Sequence, residues 1–344
     1  MKTNIKKEGY FKSQITYEKI YDAYIKARKG KRYRDDVIKF SLREEDYIES
    51  ICYSLKNGIY KFGKYKEFYV YEPKKRRILA ASFKDRIVHT WYVKNFIEKI
   101  YVPDFIETSY ACISKRGMHM CAMRVKKDMY KISKIWKGAY IIKMDVRKYF
   151  QNIDKNILYE MLEEKIKDKD FLDFTKDLLK STRMYDEKEE KGLPIGNYTS
   201  QMYGNIYLDR VDKYATRVLK CKYYYRYMDD TCIIVENKEK AKEILLRLKE
   251  FYNKVLMLEL NEKTQIFKIK QGVNFCGYKI KIGKMYLRNK GKKRILKKLK
   301  KIREMAENEK IDIEEIKRKL TGHVGYMKIA DVKELVDKYF YINE

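Results

Sequence analysis

Residues 223–235 read YYYRYMDDTCIIV and place two apolar runs on either side of the adjacent acids Asp229 and Asp230. Aromatic and β-branched residues favour strands, and short polar residues between two such runs are typical of a hairpin turn. We therefore predict a β-hairpin with the two acids at its tip. On this segment alone, capping of the turn would account for both carboxylates.

A second apolar run ends in a single acid. Residues 138–146 read GAYIIKMDV, which predicts a strand buried on both faces, with Asp145 at its carboxyl end. If the hairpin pairs beside this strand, three carboxylates share one small space, where like charges repel unless cations lie between them. Mg²⁺ prefers oxygen ligands, and two ions about 3.5–4 Å apart would stabilise the attacking and leaving oxygens of a phosphoryl transfer.

The overall charge points to a polyanionic partner. The 344 residues include 80 Lys and Arg against 49 Asp and Glu, a formal net charge of +31, and nucleic acid is the first partner to expect. Ten of the sixteen residues from 288 to 303 are basic, and apolar residues recur among them at helical spacing. We predict an amphipathic helix whose cationic face, with Lys297 and Lys301, binds nucleic acid. A merely solvated face and a membrane-surface helix are the alternatives.

Two features of the sequence indicate a reducing, cytoplasmic compartment. The six cysteines include no CxxC pair, and no apolar leader segment follows the basic start of the chain. Cys112, His119 and Cys121 lie close enough in sequence to suggest zinc, but no fourth ligand stands at a familiar spacing, and we expect buried thiols instead. The sequence has no apolar stretch of about 18 residues, so no membrane span or membrane partner is expected.

The periodicity of apolar residues predicts an α+β fold, with helices packed on one face of a sheet. Besides the strand and hairpin above, we predict strand pairs within 60–73 and 273–287. Helices are predicted at 16–28, 44–56, 154–166, 170–182, 199–218, 237–255 and 291–305.

Six ordered blocks resemble the motifs of reverse transcriptases. Three of them resemble the first catalytic motif, the nucleotide- and template-contacting motif and the second metal motif: IIKMDVRKYFQNID (141–154), GLPIGNYTSQMYGNIYLDRVD (192–212) and YRYMDD (225–230). The other three are similar to the fingers block, the lysine-bearing block and the primer grip: YVYEPKKRRILAASFKDRIVH (69–89), LELNEKTQIF (258–267) and NFCGYKI (274–280).

The resemblance implies a right-hand polymerase architecture within the α+β class. Residues 1–137 would form an N-terminal segment and the fingers, and 286–344 a helical thumb. The palm, an antiparallel sheet backed by helices, would span 138–285, with a portion around 183–200 contributed to the fingers.

The resemblance also implies an RNA-directed DNA polymerase, in which a primer 3′-hydroxyl attacks the α-phosphate of a deoxynucleotide. Asp145 and Asp229 would hold two Mg²⁺ ions, with Mn²⁺ able to substitute. The Val146 carbonyl would be a further metal ligand, and Asp230 would support the metal site. Lys263 would protonate the leaving pyrophosphate, although a plain surface lysine is the alternative there.

Further roles follow from the same motifs. Lys74 and Arg76 would grip the triphosphate, with Arg77 in place of Arg76 if the register differs by one. Phe150 would lie beneath the sugar and exclude a 2′-hydroxyl, or else be a core residue. The remaining implied contacts are to the nucleotide, through Ile195, Gly196 and Gln201, and to the primer, through Tyr227, Met228, Phe275, Cys276, Gly277 and Tyr278.

Two segments narrow the resemblance. GLPIGNYTSQ and SYACISKRGMHMCAMRV (109–125) are similar to reverse transcriptases of diversity-generating retroelements, and Ile195 stands where most reverse transcriptases have Gln. Membership of that group implies an enzyme that makes error-prone, adenine-mutagenised cDNA from a retroelement template RNA. The host would be a bacterium, and the gene could be encoded by a phage. The enzyme's partners would be template RNA, the RNA–cDNA duplex, dNTPs and a basic, ring-forming accessory protein.

Two other functions stay open. A bacterial antiviral-defence or otherwise domesticated reverse transcriptase would share every motif above. A non-catalytic RNA-binding protein would bind through charge alone, with the acids capping a turn.

Overall fold

The computed structural model describes residues 7–71, 75–182, 190–308, 311–327 and 329–330. The chain divides into two compact units. Unit 1 comprises Met1–Ile106, Val146–Lys213 and Glu250–Glu259, and unit 2 comprises Glu107–Asp145, Tyr214–Lys249 and Leu260–Glu344.

The described elements alternate helices with short strands. In chain order they are α1 (Tyr10–Ser13), α2 (Tyr17–Arg28), α3 (Asp35–Ser41), α4 (Glu44–Lys56), β1 (Lys66–Val70), β2 (Arg76–Ala80), α5 (Phe83–Tyr92), α6 (Glu98–Tyr101), α7 (Met118–Ile135), β3 (Tyr140–Met144), α8 (Tyr149–Asn152), α9 (Lys155–Glu163), α10 (Lys169–Ser181), α11 (Tyr198–Lys213), β4 (Tyr223–Tyr227), β5 (Asp230–Val235), α12 (Lys238–Leu256), β6 (Gln265–Lys268), β7 (Val273–Phe275), β8 (Tyr278–Lys281), β9 (Lys284–Leu287), α13 (Asn289–Glu307) and α14 (Ile313–Met327). Two π-helical turns, Val93–Ile97 and Tyr214–Val218, follow α5 and α11.

Unit 1 is mainly helical, and its helices begin at side chains that cap them. Thr16, Ser82, Asp154 and Asp168 each accept a hydrogen bond from a backbone N–H in the first turn of the following helix. An aromatic core joins the helices, with ring centroids 5.2–5.4 Å apart among Phe11, Trp91 and Phe96.

The sheet of unit 1 differs from the predicted strand pair. The strand Lys66–Val70 pairs with Arg76–Ala80 rather than with a second strand inside 60–73. The earlier part of that segment is held elsewhere, because the Tyr60 hydroxyl and the Gly63 backbone N–H both donate to the Asp85 carboxylate. These bonds to α5 withdraw the segment from the sheet.

Unit 2 contains two antiparallel sheets, of order β4-β5-β3-β6 and β7-β8-β9. The predicted strand before Asp145 and the predicted hairpin are confirmed, and they pair with each other. Buried side chains of α7, of one face of the first sheet and of the second sheet make one core. This core includes Val125, Met129, Ile141, Tyr225, Cys232, Ile234, Phe275, Tyr278 and Ile280. The α+β fold class with antiparallel sheets is confirmed.

Three features of unit 2 were missed or wrong. Residues 273–287 form three strands rather than one hairpin, and the segment Gln265–Lys268 adds a fourth strand to the first sheet, beside β3. Helix α7 was not predicted. The basic helix is confirmed as Asn289–Glu307, with Ile295 and Ile302 buried. The fingers, palm and thumb limits stay predictions, and their portions at 1–6, 72–74, 183–189, 309–310, 328 and 331–344 lie outside the described residues.

All six cysteines are free thiols, five of them buried and Cys112 half-buried, as expected from the sequence. His119 Nδ1 and the Tyr278 hydroxyl lie 2.7 Å apart and form a hydrogen bond. Within the described ranges, none of the helices combines the length and the apolar composition that a membrane span requires.

Candidate active site

The strand register of unit 2 places the three predicted acids at one edge of the sheet. Met144 pairs with Thr231, so Asp145 follows in register opposite Asp230. The hairpin turns tightly, because Tyr227 pairs directly with Asp230 and only Met228 and Asp229 lie between them. Met228 takes the left-handed conformation that such turns require, with φ 56°. The turn therefore presents the Asp229 side chain beside the end of β3.

Two of the three carboxylates are close neighbours. Asp145 and Asp229 are close enough to interact, and burial together with the Asp145 charge raises the pKa of Asp229 to about 6. Two bare negative charges are therefore disfavoured at this place, and a cation between the carboxylates would offset their repulsion. Their oxygen donors suit Mg²⁺.

Asp230 has a different partner. Its carboxylate forms an ion pair with the Lys143 ammonium, and that ammonium also lies 5.3 Å from the centre of the Phe275 ring. Burial lowers the pKa of Lys143. No group of three or more His, Cys, Asp or Glu side chains comes together within the described part of the chain. Asp230 thus lies at the same edge of the sheet as Asp145 and Asp229, but it is ion-paired with a lysine.

A buried arginine fixes the turn from the opposite face of the sheet. The Arg226 side chain is fully buried and donates to the Met228 carbonyl and to the Ser109 hydroxyl, both at 3.0 Å. The backbone of Arg226 also pairs with the segment before α7, donating to the Thr108 carbonyl at 2.9 Å. No role was predicted for Arg226, although a lone cation within a run of tyrosines was a signal.

The turn that carries Lys263 is tied to the same edge. The backbone N–H of Asn261 donates to the Asp145 carbonyl at 2.7 Å, and the Asn261 side chain accepts from the Lys263 backbone at 3.0 Å. Lys263 itself is exposed. Its predicted role as a proton donor stays a prediction.

The predicted nucleotide contacts of the middle motif lie in unit 1, on and before α11. A Cβ built on Gly204 would lie 3.3 Å from the Phe150 ring, so this ring packs directly on the helix. Gln201 precedes Gly204 by about one helical turn and shares that face. Phe150 is also bound at its backbone, where its carbonyl accepts from the Leu193 N–H at 2.7 Å.

The loop before α11 reaches the sheet of unit 1. Gly196 has φ 116°, and a Cβ there would lie 3.3 Å from the Ile78 side chain. Ile195 is half-buried in the same turn. Since Ile78 belongs to β2, the strand that begins at Arg76, the loop brings Ile195 and Gly196 to the strand with the predicted triphosphate grip.

The structure separates the two candidate arginines. Arg77 forms an ion pair with Glu67 at 2.6 Å, whereas Arg76 is exposed and makes no ion pair with any described residue. This favours Arg76 as the available guanidinium. Lys74 lies outside the described residues.

Comparison with known proteins identifies the family. A family model described as reverse transcriptase (RNA-dependent DNA polymerase) matches residues 56–280, well over half of the chain. The chain belongs to the reverse transcriptase family. The resemblance seen in the sequence is thus confirmed at the level of the family.

Several relatives of this reverse transcriptase are intron proteins. The group II intron-encoded protein LtrA of Lactococcus lactis is 26% identical, over 73% of this chain and 53% of its own length. A COX1/OXI3 intron 2 protein of Saccharomyces cerevisiae is also 26% identical, over 42% of this chain and 24% of its own length. The chain therefore spans about half, or less, of these relatives. A solved telomerase from Candida tropicalis matches with a TM-score of 0.49 and 14% identity, over 64% of this chain and 44% of that one.

The primer-grip block of the reverse transcriptase is placed differently from expectation. Phe275, Cys276 and Tyr278 are buried in the core of unit 2, so their side chains have no free surface for a primer. Cys276 and Gly277 both have positive φ, 48° and 81°, and form the two-residue turn between β7 and β8. If this block contacts the primer, the contact would be made by the backbone of that turn.

The other residues predicted to contact nucleic acid are at least partly exposed to solvent. Tyr227 and Met228 are half-buried at the hairpin tip, and Lys297 and Lys301 are exposed on α13. The side chain of Val146 is buried, and the role of its carbonyl as a metal ligand stays a prediction.

Proposed function

We propose that the chain is the reverse transcriptase of a diversity-generating retroelement, which copies a template RNA into error-prone cDNA. The observation that carries the catalytic part is the Asp145–Asp229 pair, two interacting carboxylates at one edge of the sheet in a chain of this family. The retroelement part is supported by the resemblance of GLPIGNYTSQ and of residues 109–125.

Asp145 and Asp229 would hold two Mg²⁺ ions, or Mn²⁺ in their place. A cation is favoured between the two carboxylates, because burial and mutual repulsion disfavour two bare charges. Bound Mg²⁺ supplies charge stabilisation to the attacking and leaving oxygens of nucleotidyl transfer.

The protein side chains supply binding and orientation. Arg76 would neutralise the incoming triphosphate, and Lys263 would deliver a proton to the pyrophosphate. Phe150 would close the space beside the sugar at C2′ and so exclude ribonucleotides. The exposed lysines of α13 would hold the RNA–cDNA duplex through its phosphates.

Ile195 would contribute to low fidelity. An apolar side chain discriminates between partners by only about 1–3 kcal/mol, whereas a site that hydrogen-bonds its partner can discriminate far more strongly. Ile195→Gln should therefore lower misincorporation opposite template adenine, measured by sequencing the cDNA. Unchanged adenine errors in this variant, with overall incorporation retained, would show that fidelity is set elsewhere.

The decisive experiment for the catalytic proposal uses purified protein, an RNA template with a primer, dNTPs and Mg²⁺. Asp229→Asn should reduce incorporation by at least about 100-fold, since even groups behind a metal ligand cost 10–100-fold. RNA binding, measured at the same salt concentration, should be unchanged. Glu236→Gln is the matched control, because Glu236 is an exposed carboxylate just after the far end of β5. A wild type that binds RNA and never incorporates dNTPs would refute the proposal.

A group II intron-type reverse transcriptase is the second candidate, favoured by the match to LtrA over 73% of this chain. The two candidates differ in their products and partners. With the native flanking RNA and an adjacent small basic protein that would form the proposed accessory ring, errors clustered opposite adenine support the retroelement assignment. Errors spread evenly over the four template bases support the intron-type assignment.

A further inference from the structure

Lys143 lies next to the candidate metal site on β3 and has no role in the proposed reaction. It lies two residues before Asp145 on β3, and residues two apart on a strand share a face. It pairs across the sheet with Cys232, which follows Asp230 by two residues on β5. The register therefore puts Lys143, Asp145 and Asp230 on one face of the sheet, the face that continues into the core.

The contacts agree with the register. The ammonium of Lys143 is ion-paired with Asp230 and lies over the ring of Phe275, a core residue of the second sheet. Only 18% of the Lys143 side chain and 35% of the Asp230 side chain are exposed. A charge removed from water to this extent is costly unless a partner compensates it, and each of these two groups compensates the other.

The edge therefore contains two unlike sets of charge. Asp230 is ion-paired with the Lys143 ammonium, whereas Asp145 and Asp229 interact with that ammonium only through space, in addition to each other's charge. A metal ion gains most where negative charge is uncompensated.

We infer that Lys143 is a positioning and charge-balancing residue that holds Asp230 away from the metal ions, so that Asp145 and Asp229 alone are the acidic metal ligands. The inference rests on the proposed function, because it assigns roles within the same metal site. Lys143 acts through its ion pair with Asp230 and through its charge beside Asp145 and Asp229. It touches neither nucleotide nor primer in this assignment.

The affinity for divalent cations should therefore change in opposite directions when the positive charge of Lys143 or the negative charge of Asp230 is removed. Lys143→Met leaves Asp230 uncompensated beside the pair, so divalent cations should bind about tenfold more tightly. Asp230→Asn leaves the ammonium uncompensated beside the pair, so they should bind about tenfold more weakly. In the double variant both charges are gone, and affinity should return to within about threefold of the wild type.

The test is a titration of the full-length, metal-free protein with Mn²⁺, followed by electron paramagnetic resonance of the free ion. Lys222→Met is the matched control, because it removes the same charge from an exposed site just before β4, at the end of the strand away from the acids. Its affinity should equal that of the wild type. Thermal unfolding of each variant confirms that the protein is folded under the conditions of the titration.

A purely structural role for Lys143 would give a different pattern. Both single variants would then weaken Mn²⁺ binding, or the double variant would remain as weak as the worse single one, and either result would overturn the inference. Absence of Mn²⁺ binding by the wild type would also overturn it. The expected charge pattern together with a failure to incorporate dNTPs would refute the proposed polymerase activity while supporting the assignment of Lys143.

Discussion

The most quantitative prediction concerns His89, which joins α5 to the start of α11. Its Nδ1 lies 2.8 Å from the Thr199 hydroxyl, and its Nε2 has no hydrogen-bond partner among the described residues. The side chain is 2% exposed. Burial lowers the pKa of His89 to about 4, against an opposing effect of Asp85. A second ring proton would have no acceptor, so the folded protein resists protonation at this site.

The cost to stability follows from the gap between this pKa and the ordinary value of 6.5. At 1.36 kcal/mol per pKa unit, the full gap corresponds to about 3 kcal/mol. Because the pKa is lower in the folded state, the unfolded chain binds the proton first as the pH falls. The contribution of neutral His89 is therefore fully present above the unfolded pKa and is lost between about pH 6.5 and pH 4, with about 2 kcal/mol gone at pH 5.

The assay compares urea unfolding of the wild type and His89→Gln at about pH 7.5 and about pH 5. Carboxylates titrate in both proteins, so the difference between their two pH dependences isolates His89. The free energy of unfolding of the wild type should fall by about 2 kcal/mol more than that of the variant. Ring-proton NMR of the wild type gives an independent midpoint. Equal falls in the two proteins, with a midpoint near the ordinary histidine value, would refute the reasoning.

Three further predictions concern the candidate site. Arg76→Ala should raise the KM for dNTPs about tenfold in steady-state kinetics. Arg77→Ala removes a guanidinium that is already in an ion pair and should change this KM less than about twofold. Equal effects of the two substitutions would contradict the assignment of Arg76 to the triphosphate. Gly204→Ala places a methyl group 3.3 Å from the Phe150 ring and should lower the ratio of kcat/KM for dNTPs over NTPs, whereas an unchanged ratio would separate that ring from sugar selection. Arg226→Met should cost about 1–3 kcal/mol of unfolding free energy, because a buried hydroxyl and a turn carbonyl lose their donor, and denaturant unfolding at neutral pH measures it.

The sequence predicted those parts of the fold in which local pattern and tertiary structure agree. The apolar run before Asp145 and the hairpin around Asp229 are bounded by residues that favour neither a longer strand nor a helix. The helix Asn289–Glu307 was recognisable because its apolar residues recur at helical spacing, and Ile295 and Ile302 are indeed its buried residues.

The parts that were missed depend on distant partners. Gln265–Lys268 has only four residues, too few to show the alternation of a strand, and it becomes one by pairing with an edge of β3. Tyr60 and its neighbours have the composition of a strand, yet a single buried carboxylate in α5 holds them outside the sheet. No local pattern could show that Lys143 is bound to Asp230, since 87 residues separate them and only the strand register makes them neighbours.

The placement of the thiols makes this protein convenient to label. Burial raises the pKa of Cys121, Cys221 and Cys232, and also that of half-buried Cys112. Thiols react as thiolates, so all four should react slowly with maleimides near neutral pH. One new cysteine on an exposed residue of α13 would then carry a fluorophore nearly alone, without removal of the native cysteines. Movement of that helix during cDNA synthesis could be followed in an otherwise unaltered chain.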